Sequence, residues 1–239
     1  MQQGSVSSGQ NGFRRFFFNS RAVGLRGKIH KPYFEDLGEH AVVSTFGRSA
    51  GRSVSRNEGF AIDKDVSYGA AYSELVAQNE GYVWRSVIQA TVERLNIRDR
   101  ITADAVVCRL EGVWDSRSYP GPKITRILPT GSKIVNLRVD GQLVEPKLPP
   151  AFNLDERSVR DFFSGQHDKD PNDPRFFPGL YPEPFYKPGL GTLFFAEWSW
   201  VHPQGRDEQK ISMIRLALGS DFGMDAEIAA GSTNGRGWP

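Results

Sequence analysis

The residues with chemical potential are few and scattered. Glycoside cleavage needs two carboxylates across a cleft. Glu197, set between Phe195 and Trp198, is the most enclosed candidate, with Glu111 and Asp115 beside Trp114 as others. Nothing in their spacing pairs any two of them, and polar residues alternating along strands account for all three. A second cluster, His167-Asp168-Lys169-Asp170-Pro171-Asn172-Asp173, gathers carboxylates and an amide in one short loop. Hard cations such as calcium want several oxygens from one loop, so Asp168, Asp170 and Asp173 are candidate ligands. Pro171 and the missing glycine depart from the usual loop grammar, and a solvated acidic loop is the competing reading. An ion there would be structural, and calcium is the one cofactor the residues suggest.

Trp198 and Trp200 stand two apart and so share one face of a strand. Exposed, they make a stacking platform for a sugar; buried, they are core. The four histidines, His30, His40, His167 and His202, do not fall at helical metal-ligand spacing, although His30 and His40 could meet on adjacent strands. The single cysteine, Cys108, lies in an apolar run and reads as a small buried hydrophobe. No Gly-x-Ser-x-Gly elbow and no phosphate-binding glycine motif occurs. Arg14, Arg15, Arg21, Arg26 and Lys28, near aromatics, could follow a phosphate backbone as a coat-protein arm does. The formal net charge of only +2, from 30 basic and 28 acidic residues, argues against a dedicated nucleic-acid binder.

The elements that carry these residues are short strands. The 239 residues, 38% of them hydrophobic, suffice to bury a substantial core. Residues 1–20 read as a flexible arm ending in an aromatic patch at 13–18, and the polar start does not read as a secretory leader. Strands are expected at 22–29 and 41–46, with a Gly-, Ser- and Arg-rich loop at 47–59. The clearest signal is period-two alternation. In residues 82–95 Trp84, Ile88, Ala90 and Val92 share one face, with Arg85, Gln89 and Glu93 on the other. Residues 101–114 repeat it with Val106, Cys108 and Leu110. These predict two long antiparallel neighbours. Short strands follow at 123–128 and 133–139, and Asp140-Gly141 predicts a type I′ hairpin turn.

Prolines crowd the stretch from Pro146 to Pro188, an irregular excursion over 145–190 with residues 155–166 its one candidate helix. Loops of this size are usually functional or interfacial. Strands resume at 192–201, 210–218 and 225–230, before a Gly-rich tail at 233–239. No apolar run approaches the ~18 residues of a transmembrane helix. The pattern predicts an all-β antiparallel sandwich or jelly roll, one domain over 21–232 with the Pro-rich excursion on one side.

Three segments carry a resemblance: Ile101-Thr102-Ala103-Asp104-Ala105-Val106 after the strand ending at Leu95; the hairpin from Ile134 through Asn136-Leu137-Arg138-Val139-Asp140-Gly141 to Val144; and Met213-Ile214-Arg215-Leu216 followed by Asp225 to Ser232. This succession resembles the choice-of-anchor P family of bacterial surface proteins over roughly residues 20–232. The Pro-rich excursion departs from that pattern, as does the want of a visible leader or terminal anchor. The resemblance implies a secreted or surface-displayed β-rich protein with no enzyme chemistry and no catalytic residues to carry over.

The function expected from these readings is that of a non-catalytic structural or adhesive protein, extracellular or at the cell surface, acting by self-assembly or by binding another protein. A carbohydrate-binding module using Trp198 and Trp200, a capsid-like shell subunit and a glycoside-active enzyme are the alternatives.

Overall fold

The computed structural model describes residues 16–47, 49–115, 125–146, 148, 185–187, 191–194, 197–201, 208–217 and 223–236. These form β-strands and, among the described residues, no helix. Long strands build most of it: β1 (Phe16–Ile29), β2 (Glu35–Gly47), β3 (Gly51–Ile62), β4 (Val66–Glu80), β5 (Val83–Ile97) and β6 (Ile101–Asp115). Shorter ones follow: β7 (Thr125–Leu128), β8 (Lys133–Val135), β9 (Arg138–Val139), β10 (Gln142–Leu143), β11 (Phe185–Lys187), β12 (Gly191–Phe194) and β13 (Glu197–Val201). Last come β14 (Glu208–Ala217) and β15 (Met224–Arg236).

One sheet runs β11-β12-β14-β15-β1-β2, with β13 on β14. The other runs β10-β9-β6-β5-β4-β3, with β7 and β8 on β6. All pairs are antiparallel. The sheets stack as a sandwich, β1 over β4 and β5, β15 over β5 and β6, and β2 over β3 and β4. Inward side chains from both sheets form one core around Phe18, Leu25, Ile29, Leu75, Ile88 and Leu110, each almost wholly buried. Burying one such side chain contributes about 1.5–3 kcal/mol.

The expected pairing of the two alternating segments is observed: β5 and β6 lie side by side from Val83↔Asp115 to Ile97↔Ile101. The Asp140-Gly141 turn has φ of 50° and 77°, the positive pair that a type I′ turn requires. Several boundaries differ from expectation. Residues 16–20 are not part of an arm but the first turn of the ladder, paired with β15 from Phe16↔Arg236, because Phe18 is drawn into the core. Thr233 to Arg236 likewise extend β15 and are not tail. The stretch expected to be a loop at 47–59 is mostly β3, an edge strand exposed along most of its length. β4 was not foreseen at all. The candidate helix at 155–166 and most of the Pro-rich excursion lie outside the described residues.

A line of irregularity crosses the strands at mid-height. In β4 the buried positions pass from Val66 and Tyr68 to Ala71, Ser73 and Leu75. In β5 they pass from Ile88, Ala90 and Val92 to Leu95 and Ile97, and in β6 from Ile101 and Ala103 to Val106, Cys108 and Leu110. Each strand skips an extra residue at the same level, so the pairing register survives while the alternation inverts. Positive φ at Gly59 (66°) and Arg94 (52°) marks the line in this sheet. In the other sheet it continues as register shifts in β1 between Val23 and Arg26 and in β14 between Ser212 and Ile214, with Ala41 at φ 51°.

Candidate interaction surfaces

The outer face of the first sheet is built from β2, β1, β15 and β14. Past the shift at Val23/Arg26, Arg26 and Lys28 point outward. Pairing then sets Glu39 of β2 beside Arg26 of β1, Arg26 beside Glu227 of β15, and Glu227 beside Arg215 of β14. One row over, Asp36, Lys28 and Asp225 stand in line. Charges thus alternate in sign from strand to strand, the arrangement that cross-strand pairs favour.

The contacts follow the ladder. Arg26 donates from Nε to Oε2 of Glu227 at 2.8 Å, and its terminal nitrogen lies 3.8 Å from Oε1 of Glu39. Arg21 donates to Glu39, and the Ser212 hydroxyl donates to Oε1 of Glu227. Lys28 Nζ lies 4.0 Å from Asp36. Arg26, Lys28, Asp36, Glu39 and Glu227, with Gly27 and Gly38 between them, line a shallow recess of about 510 Å³. Its chemistry is that of a matched surface. Glu39 and Glu227 flank a guanidinium instead of an open gap, and Glu227 already accepts from two donors.

The residues singled out from sequence fare differently. Glu111 lies between two arginines, its oxygens 3.2 Å from Arg85 and 3.0 Å from Arg109, with its side chain 14% exposed. Its place is explained by that ion-pair triad. The side chains of Asp115, Glu197, Trp198 and Trp200 lie outside the described residues, although β13 carries the last three along the edge of β14. Asp168, Asp170 and Asp173 lie outside the described residues too, as do His167 and His202. Among the described residues no group of three or more His, Cys, Asp or Glu could hold a metal.

His30 and His40 do not meet. The strand register sets His40 opposite Leu25, with its ring 4.2 Å from that of Phe60, whereas His30 sits past the end of β1 with its ring 6.0 Å from Phe34. Cys108 is fully buried in the core, as expected. Arg21, Arg26 and Lys28 each face a carboxylate, which leaves them poorly placed to follow a phosphate backbone. Glu39, Glu227, Ser212 and Arg215 were missed from sequence: Arg26 and Glu227 are 201 residues apart, and only the β1–β15 register joins them.

A second surface is the side of β3 away from β4, with which no strand pairs among the described residues. Its residues are exposed apart from Ser55, Phe60 and Ile62, and Val54 is 57% exposed. It contains no lysine and no proline; the charges along it are Arg52, Arg56 and Glu58, of both signs. The facing edge strand β2 is guarded at its centre, where the Ala41 N–H donates to Oδ1 of Asn57 at 2.8 Å. Phe46, near the end of β2, is 79% exposed.

Residues 16–170 match the family described as a domain of unknown function, DUF8256, and the chain belongs to that family. No curated protein and no solved structure matches the chain.

Proposed function

We propose that this member of the family is a non-catalytic structural protein that works by presenting surface to a partner, other copies of itself included. The observation that carries the reading is the β3 edge, long, exposed, carrying charges of both signs and, among the described residues, paired on one side only. Unpaired strand edges are templates for a further strand, and an edge that no described strand covers over this length is fitted for strand addition. The charge ladder of the opposite sheet agrees with it, since its carboxylates are engaged by cations and hydroxyl instead of flanking a reaction gap. Display outside the cell or on its surface follows from the resemblance to the choice-of-anchor P proteins, and a structural calcium ion on Asp168, Asp170 and Asp173 is part of the same proposal.

Light scattering across a concentration series tests it, in calcium and then in chelator. A mass above the 26.7 kDa of the single chain supports assembly. Loss of that mass in chelator ties assembly to the ion. A single-chain mass at every concentration overturns the self-assembly reading.

A further inference from the structure

We infer that a second copy of this chain pairs with β3, edge to edge and antiparallel, about a two-fold axis through Ser55. The inference rests on the assembly reading above and names its surface and register.

The segment from 51 to 59 reads Gly-Arg-Ser-Val-Ser-Arg-Asn-Glu-Gly. Its outer face carries Arg52, Val54, Arg56 and Glu58, in line with Glu74 and Tyr72 of β4. A two-fold pairing is isologous, so each residue meets a partner set by the centre alone. With the axis at Ser55, Arg52 stands opposite Glu58 of the partner subunit, and the reciprocal contact repeats it. Ser53 meets Asn57 of the partner subunit, and Val54 meets Arg56 of the partner subunit. Arg52 already bonds Glu74 at 2.6 Å, so the pairing extends a row of alternating charge across the junction.

Neighbouring centres are worse. An axis at Val54 sets Arg52 against Arg56 of the partner subunit, and an axis at Arg56 sets that arginine against its own copy. An axis at Asn57 runs the pairing through Gly59, whose φ of 66° inverts the alternation. β2 offers no equal edge, because Asn57 occupies its central N–H.

The full chain carrying Ser55→Cys is oxidised mildly. Opposed Cα atoms in an antiparallel pair lie ~4.5–5.5 Å apart, within disulfide reach. Cys108 is fully buried and does not compete. A disulfide-linked dimer is expected. In parallel, Arg52→Glu and Glu58→Arg are weighed separately and together by sedimentation, with circular dichroism to verify the fold. Each single reversal should weaken dimerisation roughly tenfold or more, as like charges meet, and the double reversal should restore it. The intrachain pairs Arg52–Glu74 and Arg56–Glu58 are exposed and contribute little to the fold, so the swap leaves it standing. A dimer that ignores both reversals and gives no Ser55→Cys crosslink overturns this surface while leaving assembly intact. A monomer at all concentrations overturns both.

Discussion

Arg98 donates from Nε to Oδ1 of Asp65 at 2.6 Å, and the two side chains are only 13% and 16% exposed. The same guanidinium reaches the carbonyl of Lys31 at 2.7 Å, and the Arg98 N–H donates to the carbonyl of Asp65. Three turns at one end of the sandwich are therefore tied by one arginine: β1–β2, β3–β4 and β5–β6. Arg98→Ala leaves Asp65 in a half-closed site without its cation. It should cost about 2–4 kcal/mol in denaturant unfolding. Asp65→Asn combined with Arg98→Ala should cost less than the sum of the two, as residues of one network do. Additive costs would show that the turns are held by something else.

The same carboxylate governs Tyr33. Its hydroxyl donates to Oδ2 of Asp65, and that hydrogen bond holds the phenol's ionisation well above its ordinary value of 10.0, pushed up to about 12. The folded protein thus keeps the proton more tightly than the unfolded chain. The linked stability is whole below the unfolded value and is lost as pH rises toward 12. Tyr33→Phe should flatten this alkaline decline. Ultraviolet titration of Asp65→Asn should show one tyrosine moving to lower pH. Tyr68, whose ionisation is raised by burial, should stay where it is.

How much could be read beforehand follows from which strands bury one face. β5 and β6 were legible because Ile88, Ala90, Val106 and Cys108 alternate with polar neighbours over long runs. β3 was illegible because both of its faces meet solvent, and Arg52, Ser53, Arg56 and Asn57 carry no periodic signal. β4 was illegible for another reason. Its buried set shifts from even to odd positions at Ala70 and Ala71, which breaks any count of period two. The charge ladder needed the register of β1 against both β2 and β15, and register is a property of the assembled sheet. No residue type in the sequence marks Glu227 as the neighbour of Arg26.

The mid-height irregularity separates two glycines that look alike in sequence. At Gly69 the atoms nearest an added β-carbon belong to the guanidinium end of Arg94, a flexible group on an exposed residue. At Gly27 it would overlap the backbone carbonyl of Asp225 in the paired strand, which cannot swing aside. Gly69→Ala should therefore cost less than about 1 kcal/mol. Gly27→Ala should cost about 3 kcal/mol or more and disturb the β1–β15 ladder. Thermal unfolding of the two variants gives the comparison, and equal costs would refute the assignment of a close strand approach to Gly27.

The two carboxylates that flank Arg26 should differ in worth although each neighbours the same cation. Glu227 is 13% exposed and accepts from both Arg26 and the Ser212 hydroxyl; Glu39 is 39% exposed and reaches Arg26 only at 3.8 Å. Charge-assisted bonds in a part-buried site contribute about 1.5–3 kcal/mol, and exposed ion pairs ~0.2–1 kcal/mol. Glu227→Gln keeps the shape and an acceptor but loses the charge, so it should cost about 1–2 kcal/mol. Glu39→Gln should cost less than ~0.5 kcal/mol. Salt separates them further. Screening acts on the solvated pair and spares the enclosed one, so the Glu39→Gln deficit should vanish in molar salt while most of the Glu227→Gln deficit persists. If both deficits disappear together, the Arg26–Glu227 contact is a surface pair like the rest of the ladder, and the recess has no anchored centre.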